Sequence, residues 1–315
     1  MGRIVAKLRR AVTTGSRNKK VPGTTRPGYS TSMGEPKVTS HFPGAALRAI
    51  LVGGLVILPA VLAPVTTPET AQIVILLAIF AAGVIFAEYS SAYPGLIEFR
   101  FAAPFNRTRF MLLALLAMLM ALLMRHQSDP GSISTLVQGL ALACAPLFDF
   151  AFSPVQLLLR SLPGDLPESH AAMVQQGASL ALVLGVTTVL GFVAAIRLNV
   201  WPMGSGPFNV WINLPTFDPT AGNDVVQRLL RQARINILLG FLLPFLLPGF
   251  VYASALLVQP LTLQSPMGFV WGIVLWVYLP VSLIMRGVAM ARVARMIRAN
   301  RRRFSDTEGN AFAVA

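Results

Sequence analysis

The 315-residue sequence predicts an all-α polytopic membrane protein with about six transmembrane helices, and three observations carry that prediction. Hydrophobic residues make up 55% of the chain and charged residues only 12%, about half the charged fraction of a typical soluble domain. The charges lie at the two ends and in a few loops, leaving long uncharged runs between them. Those runs form seven apolar stretches, six of which read as helices crossing a bilayer core of about 30 Å. This pattern excludes a water-soluble enzyme, a secreted disulfide scaffold and a disordered chain. The one cysteine, Cys144, has no partner for an internal disulfide and reads as a small buried hydrophobe.

Residues 1–44 read as a basic, largely disordered tail, in which positions 1–34 hold eight basic residues and no acid. Within it, GRIVAKLRRAV sets Ile4, Val5, Leu8 and Val12 on one helical face and Arg3, Lys7 and Arg10 on another, a short amphipathic helix suited to a membrane surface. The segment holding Pro22, Pro27, Pro36 and Pro43 reads as a polar linker. No apolar run follows the basic start directly, so the start does not read as a secretory signal; its composition also fits a mitochondrial presequence.

Residues 45–286 form the transmembrane helical domain. The expected spans are 47–65, 71–90, 110–124, 173–196, 235–258 and 267–285, the third being short for a full crossing. The fourth apolar stretch, 131–160, is interrupted by Pro146, Asp149 and Pro154 and reads as re-entrant or interfacial. Basic residues decide between the two topologies. If all seven stretches cross, the inside holds fourteen basic residues and the outside twelve. If the fourth dips and returns, the split becomes 24 to 2, with both termini inside, as the positive-inside rule requires. Residues 287–315 are expected to form a basic cytoplasmic helix and tail.

Candidate site residues are few. Asp149 and Glu88 are acids in or beside apolar stretches, where an ionisable group is a functional candidate. The plainer readings are a helix cap for Asp149, with Ser153 and Gln156 nearby, and an interfacial carboxylate near Arg100 or Arg109 for Glu88. Gln175 and Gln176 can hydrogen-bond across a helix contact. Pro244 and Pro248 remove two amide donors from the sixth apolar stretch and so suggest a helix break there. Gly177, Ala181 and Gly185 form a small-residue stripe that lets helices approach closely.

The loop around Trp201, Phe208, Trp211 and Phe217 is too aromatic for a solvated linker and belongs at a membrane interface. Asn223 is expected to cap an amphipathic interfacial helix with Val225, Val226, Leu229, Leu230 and Ala233 on one face and Arg228, Arg231 and Arg234 on the other. Arg292, Arg295 and Arg298 repeat the theme after the last span. Both arginine sets are expected to contact anionic lipid headgroups.

His41, His126 and His170 have no ligand-spaced partners, and no catalytic or phosphate-binding motif occurs. No cofactor is expected. The net charge of +14 comes without an aromatic basic module, which argues against nucleic acid as a partner. The resulting expectation is a non-enzymatic inner-membrane protein that scaffolds, assembles or regulates a membrane complex. Its partners would be the anionic bilayer and other membrane proteins. The alternative is a small-solute or ion transporter, or a permease subunit, using Asp149 and the broken sixth span. The expected setting is a bacterial inner membrane, with the mitochondrial inner membrane as the alternative.

Overall fold

The computed structural model describes residues 42–63, 67–91, 95–202, 210–217, 224–255 and 263–313. The basic tail with its amphipathic segment, and Asn223, lie outside the described residues.

Nine α-helices and no strand occur among the described residues. Six are long and apolar enough to cross a membrane: α1 (Phe42–Leu62), α2 (Pro68–Ser90), α3 (Phe105–His126), α6 (Glu168–Arg197), α8 (Val225–Ala255) and α9 (Pro266–Ala313). The protein is an integral, multi-pass helical membrane protein. The shorter helices are α4 (Ser132–Cys144), α5 (Pro154–Ser161) and α7 (Val210–Asn213).

Local chemistry sets several of the boundaries. Thr67 caps α2 by accepting the Thr70 amide at 3.3 Å, with Pro68 at the first helical position, where its missing N–H costs nothing. Helix α3 begins at Phe105, five residues before the expected span, so it is 22 residues long and not short for a crossing. Helices α8 and α9 hold the largest departures from expectation. Helix α8 runs 31 residues through both Pro244 and Pro248, and α9 runs 48 residues without interruption. At 1.5 Å per residue these are roughly 46 Å and 72 Å long, well beyond a core of about 30 Å. The expected interfacial helix at 224–234 and the expected C-terminal helix after 286 are therefore continuations of spans.

Helices α3 and α6 are antiparallel. Phe105 stacks edge-on against Phe192 at 5.6 Å, while an added Cβ at Gly177 would meet Met120 and Leu123 at 3.2 Å. The end of α3 and the start of α6 thus lie at the same end of the bundle, and the fourth apolar stretch leaves and returns there. Its backbone shows how: α4 tightens into a 3-10 turn over Ala145–Phe148, the chain reverses through Phe152 at φ 64°, and α5 starts at Pro154. Ser153 closes the turn, donating to the Phe148 carbonyl at 2.6 Å and accepting the Gln156 amide at 3.0 Å. Helix α4 packs on α3 and α6, and α5 on α6 and α8.

With the fourth stretch returning, the segments 95–104, 198–202 and 210–217, the start of α8 and the extension of α9 beyond 286 gather at one end, here termed the basic end. Among the described residues, only Arg125 and Arg160 among the basic side chains lie toward the other end.

Helix α9 forms the centre of the core, with Phe269, Val270, Ile273, Val274, Val277 and Met285 buried. It contacts α3, α6 and α8 extensively, while α2 packs chiefly on α1 and turns Ile73, Leu76, Ile79 and Phe80 outward. An all-round apolar helix exposed in this way is dressed for lipid.

Candidate functional site

The most elaborate polar construction among the described residues is at the basic end, where two loops meet α8 and α9. It starts from Glu98, in the turn that precedes α3. Its carboxylate takes Arg286 of α9 in a two-pronged ion pair, from Nε at 2.5 Å and from Nη2 at 2.7 Å. The Thr216 hydroxyl donates to the same carboxylate at 2.8 Å, and Arg286 Nη1 donates to the Asn236 amide oxygen of α8 at 3.0 Å. Only 12% of the Glu98 side chain and 29% of the Arg286 side chain are exposed, so the pair is substantially desolvated. Planar pairing suits arginine, whose fork matches a carboxylate.

The loop carrying Glu98 is held from every side. Phe99, at φ 53°, gives its amide to the Asn213 carbonyl at 2.6 Å, and Phe101 gives its amide to the Asn213 side chain at 3.1 Å. The Trp201 indole donates to the Ala102 carbonyl at 3.0 Å, and its ring packs with Phe99, Phe105 and Phe192 in a buried aromatic cluster. Trp201 is thus an interior residue of the chain, whereas the sequence suggested a headgroup-level aromatic. Arg100 turns back onto α2, donating to the carbonyls of Glu88, Tyr89 and Ser91 at 2.5–2.8 Å. Burial pulls its guanidinium below the ordinary arginine value, with Tyr89 and Glu88 opposing the shift.

A second tie lies further from the apolar core. Asp224 accepts Arg301 of the α9 extension at 2.6 Å and caps α8 through the amides of Val226 and Gln227. The Arg301 hydrogen bond holds the Asp224 carboxyl below its ordinary range. Val226, Leu229 and Ala233, the face expected to lie on lipid, are buried in the core that includes Met290, Val293 and Ala294. An added Cβ at Gly287 would meet the Ala233 carbonyl at 2.6 Å, so the two backbones nearly touch. Beyond the spans, α8 and α9 are one braced antiparallel pair.

The opposite face of α8 is open. Gln227, Arg228, Leu230, Arg231 and Arg234 line a hollow of about 390 Å³, with Arg228 over the Phe217 ring at 4.8 Å. Arg292 is not at that surface; it is half-buried and donates to Asn199 at 2.8 Å. Arg295 and Arg298 are exposed on the α9 extension.

The other expected residues are scattered. The Glu88 carboxylate accepts the amides of Gly95, Leu96 and Ile97 at 3.0–3.3 Å, an anchor for the loop that leads to Glu98. Asp149 is exposed at the α4–α5 reversal and accepts the Gln156 side-chain Nε2 at 2.8 Å, while the cap on α5 is Ser153. Gln176 accepts the Gln138 side chain of α4 at 2.8 Å; Gln175 is half-buried nearby. Gly177 and Gly185 press on α9, where an added Cβ would meet Phe269 at 3.1 Å and Val277 at 2.8 Å, and Ala181 is fully buried between them. Pro248 withholds the amide that would serve the Pro244 carbonyl, and the Trp276 indole of α9 donates to that carbonyl instead, at 3.2 Å. That substitution lets α8 continue through the two prolines.

Sequence reasoning missed Glu98, Arg286, Asn213, Thr216 and Asn236. A signal for two of them was present. Glu98 is the only acid between Tyr89 and Ser128, and Arg286 the only charge between Ile235 and Ala291. Among the described residues no three of His, Cys, Asp and Glu come together. Glu98 and Arg286, and Asp224 and Arg301, are used on one another, in a clamp of two ties that fixes a loop and α8 to α9. The chain matches no protein-family model, no curated protein and no solved structure.

Proposed function

We propose that this chain is a non-enzymatic component of a bacterial inner membrane that scaffolds, assembles or regulates a membrane complex through its basic end, which faces the cytoplasm. The observation that carries the reading is the α8–α9 pair. It leaves the spans without a break, is braced by Asp224–Arg301 and Glu98–Arg286, and presents Arg295 and Arg298 in the open. Rigid helices prolonged past the bilayer and rich in arginine make a docking element for an acidic protein surface. The orientation is supported by the gathering of basic side chains at one end, which the positive-inside rule assigns to the cytoplasm. In a mitochondrial inner membrane the same end would face the matrix.

A photocrosslinking residue at the exposed position 299, beside Arg298, tests the reading in the full chain in cells. The proposal expects a discrete adduct with one or a few membrane-complex subunits, lost when Arg295 and Arg298 are both glutamine. Diffuse labelling, unchanged by that substitution, would sink it.

The transport alternative draws on Asp149, held by Gln156 beside exposed Leu147, Phe150 and Phe152. Its measurement is solute or proton flux in proteoliposomes, with Asp149→Asn abolishing flux and sparing expression.

A further inference from the structure

The hollow on α8 has a position and a charge that the docking reading does not use. Its arginines stand at 228, 231 and 234, so at 1.5 Å per residue they occupy only about 9 Å along the helix. Immediately beyond them the same helix turns apolar side chains outward: Ile235, Leu238, Leu239 and Phe241 are 45–62% exposed. An exposed apolar belt on a spanning helix marks the hydrocarbon, so the arginines sit in the headgroup layer just above it. Helix α9 covers the other side of α8, through Val226, Leu229 and Ala233, and leaves the hollow as the face toward lipid.

The charges of Arg231 and Arg234 meet no carboxylate among the described residues. The nearest acid in sequence, Asp224, is taken by Arg301, and Glu98 is taken by Arg286. Among the described residues Arg231 and Arg234 are in no ion pair and are exposed. Arg228, over Phe217, is half-buried and fixes the inner wall. Two exposed guanidinium forks one helical turn apart, in a hollow of about 390 Å³, match the oxygens of a phosphate with its attached glycerol.

We propose that this hollow seats the headgroup of an anionic phospholipid. Arg231 and Arg234 hold the phosphate, Arg228 forms the back wall, and the acyl chains run down the apolar belt at Ile235, Leu238 and Phe241. The arginines of the α9 extension take no part, because Arg292 is engaged with Asn199 and Arg295 and Arg298 stand farther along a helix that outruns the bilayer. The site stands whether or not the basic end also docks a protein.

The test uses the full chain in detergent, offered mixed micelles of phosphatidylglycerol and phosphatidylcholine, with retained lipid read by native mass spectrometry. The wild-type chain is expected to keep phosphatidylglycerol in preference to phosphatidylcholine. A surface contact between one arginine and an anionic lipid is worth about fivefold in binding, so Arg231→Gln with Arg234→Gln weakens retention roughly twenty-fivefold. The paired control, Arg295→Gln with Arg298→Gln, removes the same charge and leaves retention within about twofold. Both doubles change exposed side chains, and matching thermal unfolding confirms that they fold. Equal loss in the two doubles, or no loss in the first, overturns the proposal in favour of diffuse attraction. A soluble arm uses glycerol phosphate. Binding of it as tight as that of the lipid overturns the lipid assignment and leaves a site for soluble phosphates.

Discussion

At the scale of single residues, the structure rests on polar contacts placed where apolar surroundings make them costly to lose. Arg286 is the lone charge in a long apolar run, and its partner Glu98 comes from a loop 188 residues away in sequence. Removing one member leaves the other desolvated and unpaired. Arg286→Gln or Glu98→Gln should each lower stability in detergent by about 2 kcal/mol, below the 3–5 kcal/mol of a fully buried pair because this one is partly exposed. The double variant should lose clearly less than the sum, with a coupling of about 1 kcal/mol or more. Strict additivity in thermal or denaturant unfolding would show that the pair is not a unit. A second prediction concerns Trp276. Its indole serves the carbonyl that Pro248 orphans, so Trp276→Phe should cost about 1 kcal/mol, and much less when Pro248→Ala restores an amide donor. An equal cost in both backgrounds would contradict that role. The Asp224 carboxyl, held low by Arg301, gives a third. A depressed folded value means that its tie is complete above the ordinary 3.8 and is lost as pH falls below it. Spin labels near 224 and 301 should therefore keep their separation at pH 5 and spread only at a pH below the ordinary 3.8; spreading already at pH 5 would contradict it.

At the scale of helices, close backbone approach decides which substitutions matter. A Cβ at Gly240 would meet the Pro280 carbonyl and Ile284 at 2.7 Å, whereas one at Gly191 would meet nothing within 4 Å. Gly240→Ala should therefore force α8 and α9 apart at a cost of about 1–3 kcal/mol, while Gly191→Ala should be neutral or stabilising. Equal effects on thermal unfolding would mean that the two helices are not in register as described. This scale also shows where the sequence was legible. Long uncharged runs revealed all six spans, because a spanning helix must be apolar along its length. Pro146 and Pro154 marked the reversal, since each removes an amide donor where a helix would need it. The continuity of α8 and α9 was not legible. Pro244 and Pro248 argue locally for a break, and only a tryptophan on another helix repairs it. Likewise, the stripe of Val226, Leu229 and Ala233 has the same pattern whether lipid or α9 covers it. Periodicity identifies an apolar face and is silent about its partner.

At the scale of the whole molecule, one feature organises the rest: the fourth apolar stretch begins and ends at the same end of the bundle, so the loops rich in arginine converge. The charge count pointed there, and the antiparallel pairing of α3 with α6 has the same consequence by an independent route. What the count lacked was any view of the junction itself, because Glu98, Thr216, Asn236 and Arg286 are brought together only by the folded topology. The clamp, the arginine hollow and the braced α8–α9 pair all depend on that convergence. It is tested most directly by thiol accessibility in intact spheroplasts of cells expressing Cys144→Ser chains, each with one new cysteine. An impermeant maleimide should label a cysteine at Asp129 from outside, and should label one at Thr216 or Arg303 only after the membrane is opened. Labelling of position 129 on one side together with 216 and 303 on that same side would contradict the convergence, and with it the proposed cytoplasmic working surface.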